Sequence, residues 1–571
     1  MRRIAQAAAI AIVAVSLWAV RDHTREDSLS ADEPIHILSG YFAVAARSAI
    51  VNIEHPPLMK ALSGLALATL PLAPPPARVP MGNPFVTYGP AFFYANRVPP
   101  DTIIAAARAP FLAVLAGLLA LVFFTAKSRY GIPAALFALA LCAFDPNLVA
   151  HAGIVHTDLG AALAFPAAVV AWEAARRRPD APRLAVAALV LGLALATKFS
   201  AVYLLPILLL QTLLAARSDP GGARVGRDVL RLAGVFGAAL AVVFAVYLPV
   251  TARMDPGDQA AVIRDKVGSV GGAPALAERI VSLARISPAL GHYAGGLASV
   301  ARQNAVGGGV TFLNGKISTD GFPQYFLVAF GAKSTLAFLA VTAAVLWAAL
   351  RRRSGLSEEM RLFLLPVAVL FLASIGTTYN IGIRHLLPVY PFLALLGGAL
   401  FSRAWAARAA SPRARAVAAI WIAWPLLAAA ELARIHPHEL SYFNPLAGGP
   451  VGGARVLSDS NVDWGLDLIR LARELERRGI KDPTVAYFGG DLVSYRIGVP
   501  DFSALPVVRG NRVAISVFLL TAGPEFYAYH GAAPLAGALR SLQRRIASSG
   551  RLVGRVGYSI DLFELPQGGS E

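Results

Sequence analysis

The chain has 571 residues, of which 56% are hydrophobic and only 15% are charged, and its mean hydropathy is +0.58. Soluble domains carry about 25% charged residues, so this composition excludes an ordinary soluble protein and predicts a membrane protein. The net charge of +18 does not indicate a nucleic-acid partner, because no basic patch is interleaved with aromatic residues for base stacking. The single cysteine, Cys142, excludes an internal disulfide.

Long apolar blocks recur along the chain and predict transmembrane helices, since a block of about 20 apolar residues can cross a bilayer. Helices are favoured over a closed barrel because the blocks are rich in Leu, Ala and Val and unbroken. The first block follows a basic N-terminus and fits an uncleaved helix better than a signal peptide. About eleven spans are predicted, at 4–20, 103–125, 131–147, 152–175, 182–197, 199–216, 231–250, 326–350, 360–376, 385–402 and 414–434.

Arginine runs give the predicted orientation. With the N-terminus in the cytoplasm, the alternation of spans places Arg176-Arg177-Arg178 and Arg351-Arg352-Arg353 on the cytoplasmic side, as the positive-inside rule expects. We therefore expect a multi-pass protein of a prokaryotic inner (cytoplasmic) membrane. Three segments then fall outside the cytoplasm: 21–102, 251–325 and 435–571.

The external segments differ in character. In 21–102, the stretches 34–48 and 56–70 predict amphipathic helices that lie at the membrane interface. The segment 251–325 is rich in glycine, with Gly307-Gly308-Gly309, and fits a mobile loop over a site and an irregular linker equally well.

Residues 435–571 alternate between strand and helix patterns and predict a small α/β domain, separate from a membrane domain at 1–434. The predicted strands are 455–458, 484–488, 513–520 and 558–565, and the predicted helices are 464–478 and 534–548.

Acidic residues lie at the predicted outer ends of the spans, where charged groups are costly and indicate function by default. Asp32-Glu33 follows the first span and precedes Pro34. A helix N-cap explains one carboxylate but not two, and the other suits a general base. Glu54-His55 precedes two prolines that fix the start of a helix, whose free amides favour an anion. His55 could bind a phosphate there, or make one hydrogen bond at the interface.

Further along, His151, His156 and Asp158 have the types and spacing of metal ligands. A metal is the less favoured interpretation, because Asp158 also suits a helix cap or a catalytic role. Lys198 and Arg384-His385 lie at outer junctions, where the positive-inside rule does not expect cations. They could hold a lipid phosphate, or extend to the lipid headgroups.

Together these motifs resemble the GT-C-type glycosyltransferases. The chain is similar to the dolichyl-phosphate-mannose protein mannosyltransferases and the bacterial lipid A aminoarabinose transferases, which form glycosyltransferase family 39. The resemblance covers roughly 1–434. It is carried by Asp32-Glu33, the segment Glu54 to Leu58, Thr157-Asp158-Leu159, Thr197-Lys198, and the segment Arg384 to Pro388.

The resemblance implies a polytopic α-helical enzyme that moves a sugar, with inversion, from a polyprenyl-phosphate donor to an external protein, lipid or glycan. The sequence itself requires no cofactor, and a divalent metal is the less favoured alternative. The resemblance assigns Asp32 as the general base with Glu33 beside it. It assigns Lys198, Arg384 and His55 to the donor phosphate, and leaves Glu54, Asp158 and His385 as further active-site candidates. His55 stands where the aminoarabinose transferases tend to have lysine.

The segments 441–449 and 458–465 resemble uncharacterised prokaryotic members of the same superfamily, which carry a C-terminal external domain of unknown role. Asp459 and Asp463 are compatible with a metal site, but a turn that caps a helix at Trp464 is favoured.

A second class of function stays open: a membrane transporter or lipid-binding protein with an external sensing domain. Transporters carry ionisable groups near the bilayer midplane and often show internal repeats. The clustering of motifs at one membrane face favours the enzyme.

Overall fold

The computed structural model describes residues 2–76, 84–216, 223–269, 272–307, 309–351 and 358–566. Arg352, Arg353 and Gly308, which contributed to the sequence analysis, lie outside these ranges.

Helices dominate the first 435 residues. Those in the first half are α1 (Arg2–His23), α2 (Glu33–Tyr41), α3 (Pro57–Leu67), α4 (Pro84–Tyr94), α5 (Pro100–Tyr130), α6 (Ile132–Ala143), α7 (Pro146–Ala152), α8 (Asp158–Arg177), α9 (Ala181–Leu195), α10 (Leu204–Ala216) and α11 (Ala223–Thr251). The next are α12 (Pro256–Ile263), α13 (Pro274–Ile286), α14 (Pro288–Val306), α15 (Tyr325–Lys333), α16 (Leu336–Leu350), α17 (Glu358–Ile375), α18 (Val389–Ala407) and α19 (Pro412–Ile435). Many begin with proline, whose missing N–H costs nothing in the first turn.

The predicted fold class, a polytopic helical membrane protein, is confirmed. Within the described ranges, six helices are long and apolar enough to cross a membrane, or up to seven if α6 and α7, bent by 63° at their junction, form one span. Each predicted span contains a helix, but several are shorter than a span requires, so the number eleven stays a prediction. The predicted span 326–350 is two helices, α15 and α16, because Thr335 caps the second through Phe338 N.

The two segments predicted to be external at 21–102 and 251–325 both contain helices, which were predicted only for the first. The predicted stretch 34–48 is α2 followed by a π-helical turn, Phe42–Ala46, and the stretch 56–70 is α3. In the described part of the glycine-rich segment, α12, α13 and α14 are followed by a hairpin of β1 (Thr311–Leu313) and β2 (Lys316–Ser318). Neither a mobile loop nor an irregular linker describes it, because apolar residues of these helices form a core of their own.

The C-terminal region is an α/β unit, as predicted. Its sheet has the order β3-β4-β6-β5, with β3 parallel to β4 and the other pairs antiparallel. The strands are β3 (Thr484–Ala486), β4 (Arg512–Ser516), β5 (Arg551–Val556) and β6 (Ile560–Glu564). The helices are α20 (Gly449–Gly453), α21 (Leu468–Arg477), α22 (Val493–Arg496), α23 (Val517–Thr521), α24 (Gly523–Tyr529) and α25 (Ala533–Ser549).

Three details of this unit differ from the prediction. Residues 455–458 form a turn with an isolated bridge from Leu457 to Leu313 instead of a strand. The helix predicted at 464–478 begins at Leu468, because residues 462–467 form a turn against the segment 21–102. The predicted strand 513–520 ends at Ser516, and α23 follows it.

The C-terminal unit is docked rather than separate. Backbone hydrogen bonds join Ser28 N to Leu466 O at 3.0 Å and Ala31 N to Trp464 O at 2.9 Å. Arg470 adds an ion pair to the buried carboxylate of Asp27, 2.8 Å away. Residues 28–31 therefore lie between the helical bundle and the α/β unit, and Asp32 follows immediately.

Candidate active site

Glu33, the second residue of the acidic pair, is fully buried and fully paired. Arg108 of α5 donates to both of its oxygens, at 2.8 and 2.6 Å, and the backbone N–H groups of Ser30 and Val155 donate at 2.9 and 3.0 Å. Its side chain has 0% exposure. Glu33 therefore fixes the segment before α2 against α5 and presents no free oxygen.

Asp32, its neighbour, is the more accessible carboxylate, with a side-chain exposure of 38%. Its Oδ2 lies 3.0 Å from Arg384 Nη1 and 3.7 Å from His156 Nε2. Asp32 occupies the N-cap position of α2, with proline in the first turn as predicted, but its side chain makes no capping hydrogen bond. The two adjacent carboxylates thus face different surroundings.

Arg384 is buried, although the sequence placed it at an outer junction between spans, where it could extend to the lipid headgroups. Its Nη1 donates to Asp32 Oδ2 and to His156 Nε2, the latter at 3.2 Å, and lies 3.8 Å from Asp158 Oδ2. The guanidinium also stacks over the indole of Trp464, 4.3 Å from the ring centre. The C-terminal unit therefore supplies one wall around this cation.

Asp158, at the start of α8, is a buried carboxylate surrounded by basic groups. Lys198 donates to its Oδ1, and His156 Nδ1 lies 2.7 Å from its Oδ2. Lys198 itself is only 12% exposed at its side chain. The structure thus brings together Asp32, Asp158, Lys198 and Arg384, which the sequence spreads over more than half of the chain.

His55 lies in a cluster of three imidazoles beside these groups. Its ring centre is 4.6 Å from that of His36 and 5.3 Å from that of His156. Burial, together with the neighbouring His156 and Lys60, holds the pKa of His55 well below its usual value of 6.5. A neutral imidazole is a weaker partner for a phosphate than a cation, so the predicted phosphate role of His55 requires a hydrogen bond and not a charge.

Two other candidates face elsewhere. Glu54 accepts a hydrogen bond of 2.7 Å from Gln303 of α14, and Lys266 lies 3.6 Å away, so it joins the second external segment. His151 is bonded to the carbonyl of Asn147 and is not part of the imidazole cluster. The metal-ligand set weighed from the sequence, His151 with His156 and Asp158, is therefore not assembled.

His385 is half-buried beside the site. Its ring packs 6.0 Å from that of Phe326 and 6.1 Å from that of Tyr379. Two neighbours of His385 line the site cavity: Tyr379 and Arg384, the residue that precedes His385 in the chain.

A cavity of about 600 Å³ opens between the helical bundle and the C-terminal unit. Asp32 and Arg384 line it from one side, and Asp459, Phe488 and Tyr527 are among the residues that line the other. Burial raises the pKa of Asp459 to about 6, against the opposing charge of Arg384. The cavity is large enough for a sugar-sized group and joins the accessible carboxylate of Asp32 to the buried cation of Arg384.

The sequence analysis missed several members of this site. Trp464 and Asp459 were assigned to a turn that caps a helix, but Trp464 stacks on Arg384 and Asp459 lines the cavity. Arg108 lies inside a predicted span, where a buried cation needs a partner. The need for such a partner could have indicated an ion pair between Arg108 and Glu33.

The chain matches one known protein family over part of its length. Residues 101–251 match the model of the dolichyl-phosphate-mannose-protein mannosyltransferase family. The matched segment includes Asp158 and Lys198, two residues that carried the resemblance in the sequence. This segment is therefore similar to a family of mannosyltransferases. No curated protein matches the chain.

Solved structures with a similar path of the chain include two GT-C enzymes. ArnT from Cupriavidus metallidurans bound to undecaprenyl phosphate is 14% identical, with a TM-score of 0.45 and 97% of each chain covered. The Archaeoglobus fulgidus oligosaccharyltransferase in the apo form is 12% identical, with a TM-score of 0.49, covering 98% of this chain and 74% of that one.

Proposed function

We propose that this protein is a GT-C glycosyltransferase that moves a sugar, with inversion, from a polyprenyl-phosphate donor to a protein, lipid or glycan acceptor outside the cytoplasm. The observation that carries the proposal is the contact between Asp32 and Arg384 at the cavity wall. A carboxylate that can take a proton lies 3.0 Å from a cation that can hold a phosphate. These are the two groups that transfer from a sugar phosphate needs.

Asp32 is the proposed general base. Its exposed carboxylate faces the cavity, so an acceptor hydroxyl can reach it, whereas Asp158 and Glu33 are buried among basic partners. The acceptor oxygen forms a bond to the anomeric carbon as Asp32 takes its proton, and the bond from that carbon to the phosphate oxygen breaks. Only one carboxylate is needed, because the phosphate is already a good leaving group.

Arg384 and Lys198 are the proposed donor-phosphate ligands. Both are held by the carboxylate of Asp158, directly for Lys198 and at 3.8 Å for Arg384. Asp158 therefore keeps two cations close together despite their repulsion, and we assign it a positioning role. Glu33 has the same kind of role toward the backbone before α2, through Arg108.

The test uses the purified full-length protein in detergent with a series of polyprenyl-phosphate sugars. We expect release of free polyprenyl phosphate and transfer of the sugar to an acceptor from the cell envelope. Transport or binding without release would contradict the proposal and favour the transporter hypothesis. Profiles of surface glycans and glycoproteins in a deletion strain would then identify the missing product and hence the acceptor class.

A further inference from the structure

Three histidines from separate segments converge beside Asp32. His36 comes from α2, His55 from the turn before α3, and His156 from the turn before α8. One ring nitrogen of each lies within 4.8 Å of those of the other two. We propose that these three imidazoles form a binding site for a divalent transition metal of the zinc class.

An oxygen atom lies close to Nδ1 in two of the three rings. His156 Nδ1 lies 2.7 Å from the carboxylate of Asp158, and His55 Nδ1 lies 3.2 Å from Asn52 Oδ1. The Asp158 carboxylate contacts His156 without a hydrogen bond. For His55, the Asn52 oxygen holds the proton on Nδ1 and leaves the lone pair of Nε2 for a metal. Ligating histidines in zinc sites are almost always fixed in this way by a carboxylate or carbonyl oxygen.

His36 supplies the strongest indication that a ligand is missing. The residue is 1% exposed, and its Nδ1 is buried without a hydrogen-bond partner among the described residues. A buried polar nitrogen without a partner is costly, so such groups are rare without a reason. A metal ion bound within the cluster would give this imidazole a partner.

Ligand type selects the class of ion. Three neutral nitrogen donors suit zinc, copper, nickel or cobalt, whereas magnesium and calcium prefer oxygen donors. Tetrahedral zinc has Zn–N bonds of about 2.0–2.1 Å, so the three rings must draw closer together on binding. Three protein ligands leave a fourth position for a water or an anionic oxygen, which is the arrangement of zinc sites that act on substrates.

The site would be coupled to the proposed transfer site through His156. Its Nε2 lies 3.7 Å from Asp32 and accepts the N–H of Arg384. A metal bound to this nitrogen therefore competes with the N–H of Arg384 for its lone pair. The guanidinium must then turn toward Asp32 or a donor phosphate. The carboxylates of Asp32 and Asp158 offset the added positive charge.

The experiment measures metal binding rather than activity. The full-length protein, purified in detergent with a tag that contains no histidine, is stripped with a chelator and titrated with Co²⁺ and Zn²⁺. We expect about one ion per chain, with the intense visible absorption of tetrahedral Co²⁺ and its displacement by Zn²⁺. A wild-type protein that takes up no Co²⁺ at micromolar concentration would overturn the proposal, whatever the variants do.

Variants locate the ion. His36→Gln and His55→Gln should each weaken Co²⁺ affinity at least tenfold and remove the tetrahedral band. The matched control is His292→Gln. His292 is likewise buried, at 3% exposure, and its Nδ1 has no hydrogen-bond partner among the described residues, but it lies outside the cluster. Equal Co²⁺ binding by the wild type, His36→Gln and His55→Gln would show that the three rings only pack together. Thermal unfolding with and without Zn²⁺ confirms that each variant is folded.

Discussion

Asp32 and Glu33 are adjacent in the chain, yet their carboxylates meet opposite surroundings. Glu33 accepts four hydrogen bonds in the interior, and Asp32 faces the cavity with one cation beside it. Because only an accessible and unsaturated carboxylate can accept a substrate proton, the two residues should not be interchangeable.

The first prediction concerns the base. Asp32→Asn should leave the protein folded and able to bind donor, but lower turnover at least about a hundredfold, because the amide cannot accept the acceptor's proton. Single-turnover assays with saturating lipid donor measure this loss. Near-normal turnover in Asp32→Asn combined with its loss in Asp158→Asn would mean that Asp158 is the base.

The second prediction concerns donor binding. Arg384→Ala should raise the Michaelis constant for the lipid donor about ten- to a hundredfold and slow chemistry at saturation less, because a bond to a charged group contributes about 1.5–3 kcal/mol. Kinetics over a range of donor concentrations separate the two effects. The surface variant Arg477→Ala is the control, since Arg477 is 69% exposed, pairs with Glu474 on α21 and does not line the cavity. An unchanged Michaelis constant would remove Arg384 from the phosphate site.

At the scale of elements, the ion pair of Glu33 with Arg108 joins the first external segment to α5. Both side chains are buried, with exposures of 0% and 4%. Removal of one partner from such a pair leaves an uncompensated charge in the interior, which is far more costly than loss of a surface pair.

The third prediction follows from this pair. Glu33→Gln should destabilise the protein by about 3–5 kcal/mol, seen as a lower midpoint of thermal unfolding in detergent. Glu474→Gln, which breaks pairs with Arg477 and Arg478 on the surface of α21, should change the midpoint little. Equal midpoints for the two variants would show that the buried pair does not stabilise the junction.

The fourth prediction concerns the junction between the turn at 462–467 and α23. Asp463 accepts the N–H groups of Gly465 at 3.3 Å and Phe518 at 3.1 Å, and burial raises its pKa to about 8. A raised pKa means that the folded protein binds the proton more tightly than the unfolded chain. The resulting stability is fully present below about pH 4 and is lost as the pH rises through about 8.

Asp463→Asn cannot ionise, so it does not lose stability as the pH rises. The thermal midpoint of the variant, relative to that of the wild type, should therefore be higher at pH 8.5 than at pH 5. Unfolding scans of detergent-solubilised protein at the two pH values measure this increase. Asp482→Asn, at a carboxylate with 55% side-chain exposure, should show a constant difference from the wild type. A constant difference for Asp463→Asn as well would contradict the raised pKa.

For the whole molecule, the fifth prediction is the orientation in the membrane. The arginine runs predict that the N-terminus lies inside and the C-terminal unit outside. A reporter enzyme that folds only after export should be active when fused after Leu565 and inactive when fused after Arg178. An inactive Leu565 fusion together with an active Arg178 fusion would place the C-terminal unit and the proposed site in the cytoplasm, and the acceptor would then not be external.

Local composition was enough to predict the helices, because the cost of unpaired backbone groups in hydrocarbon forces an apolar block to be helical. The α/β character of the C-terminal region was likewise visible in alternating patterns of short strands and helices. Its docking was not, since contacts such as Ala31 with Trp464 join residues far apart in sequence.

The chemistry of the site divides in the same way. The sequence by itself determined that carboxylates and cations such as Asp32, Asp158 and Arg384 are polar groups in an apolar chain, and the cost of placing charge there made them candidates. Only the tertiary structure decided which of them are free and which are paired. Burial, hydrogen-bond saturation and distance separate Asp32 from Glu33 and bring His36, His55 and His156 together, and these properties arise from packing rather than from spacing along the chain.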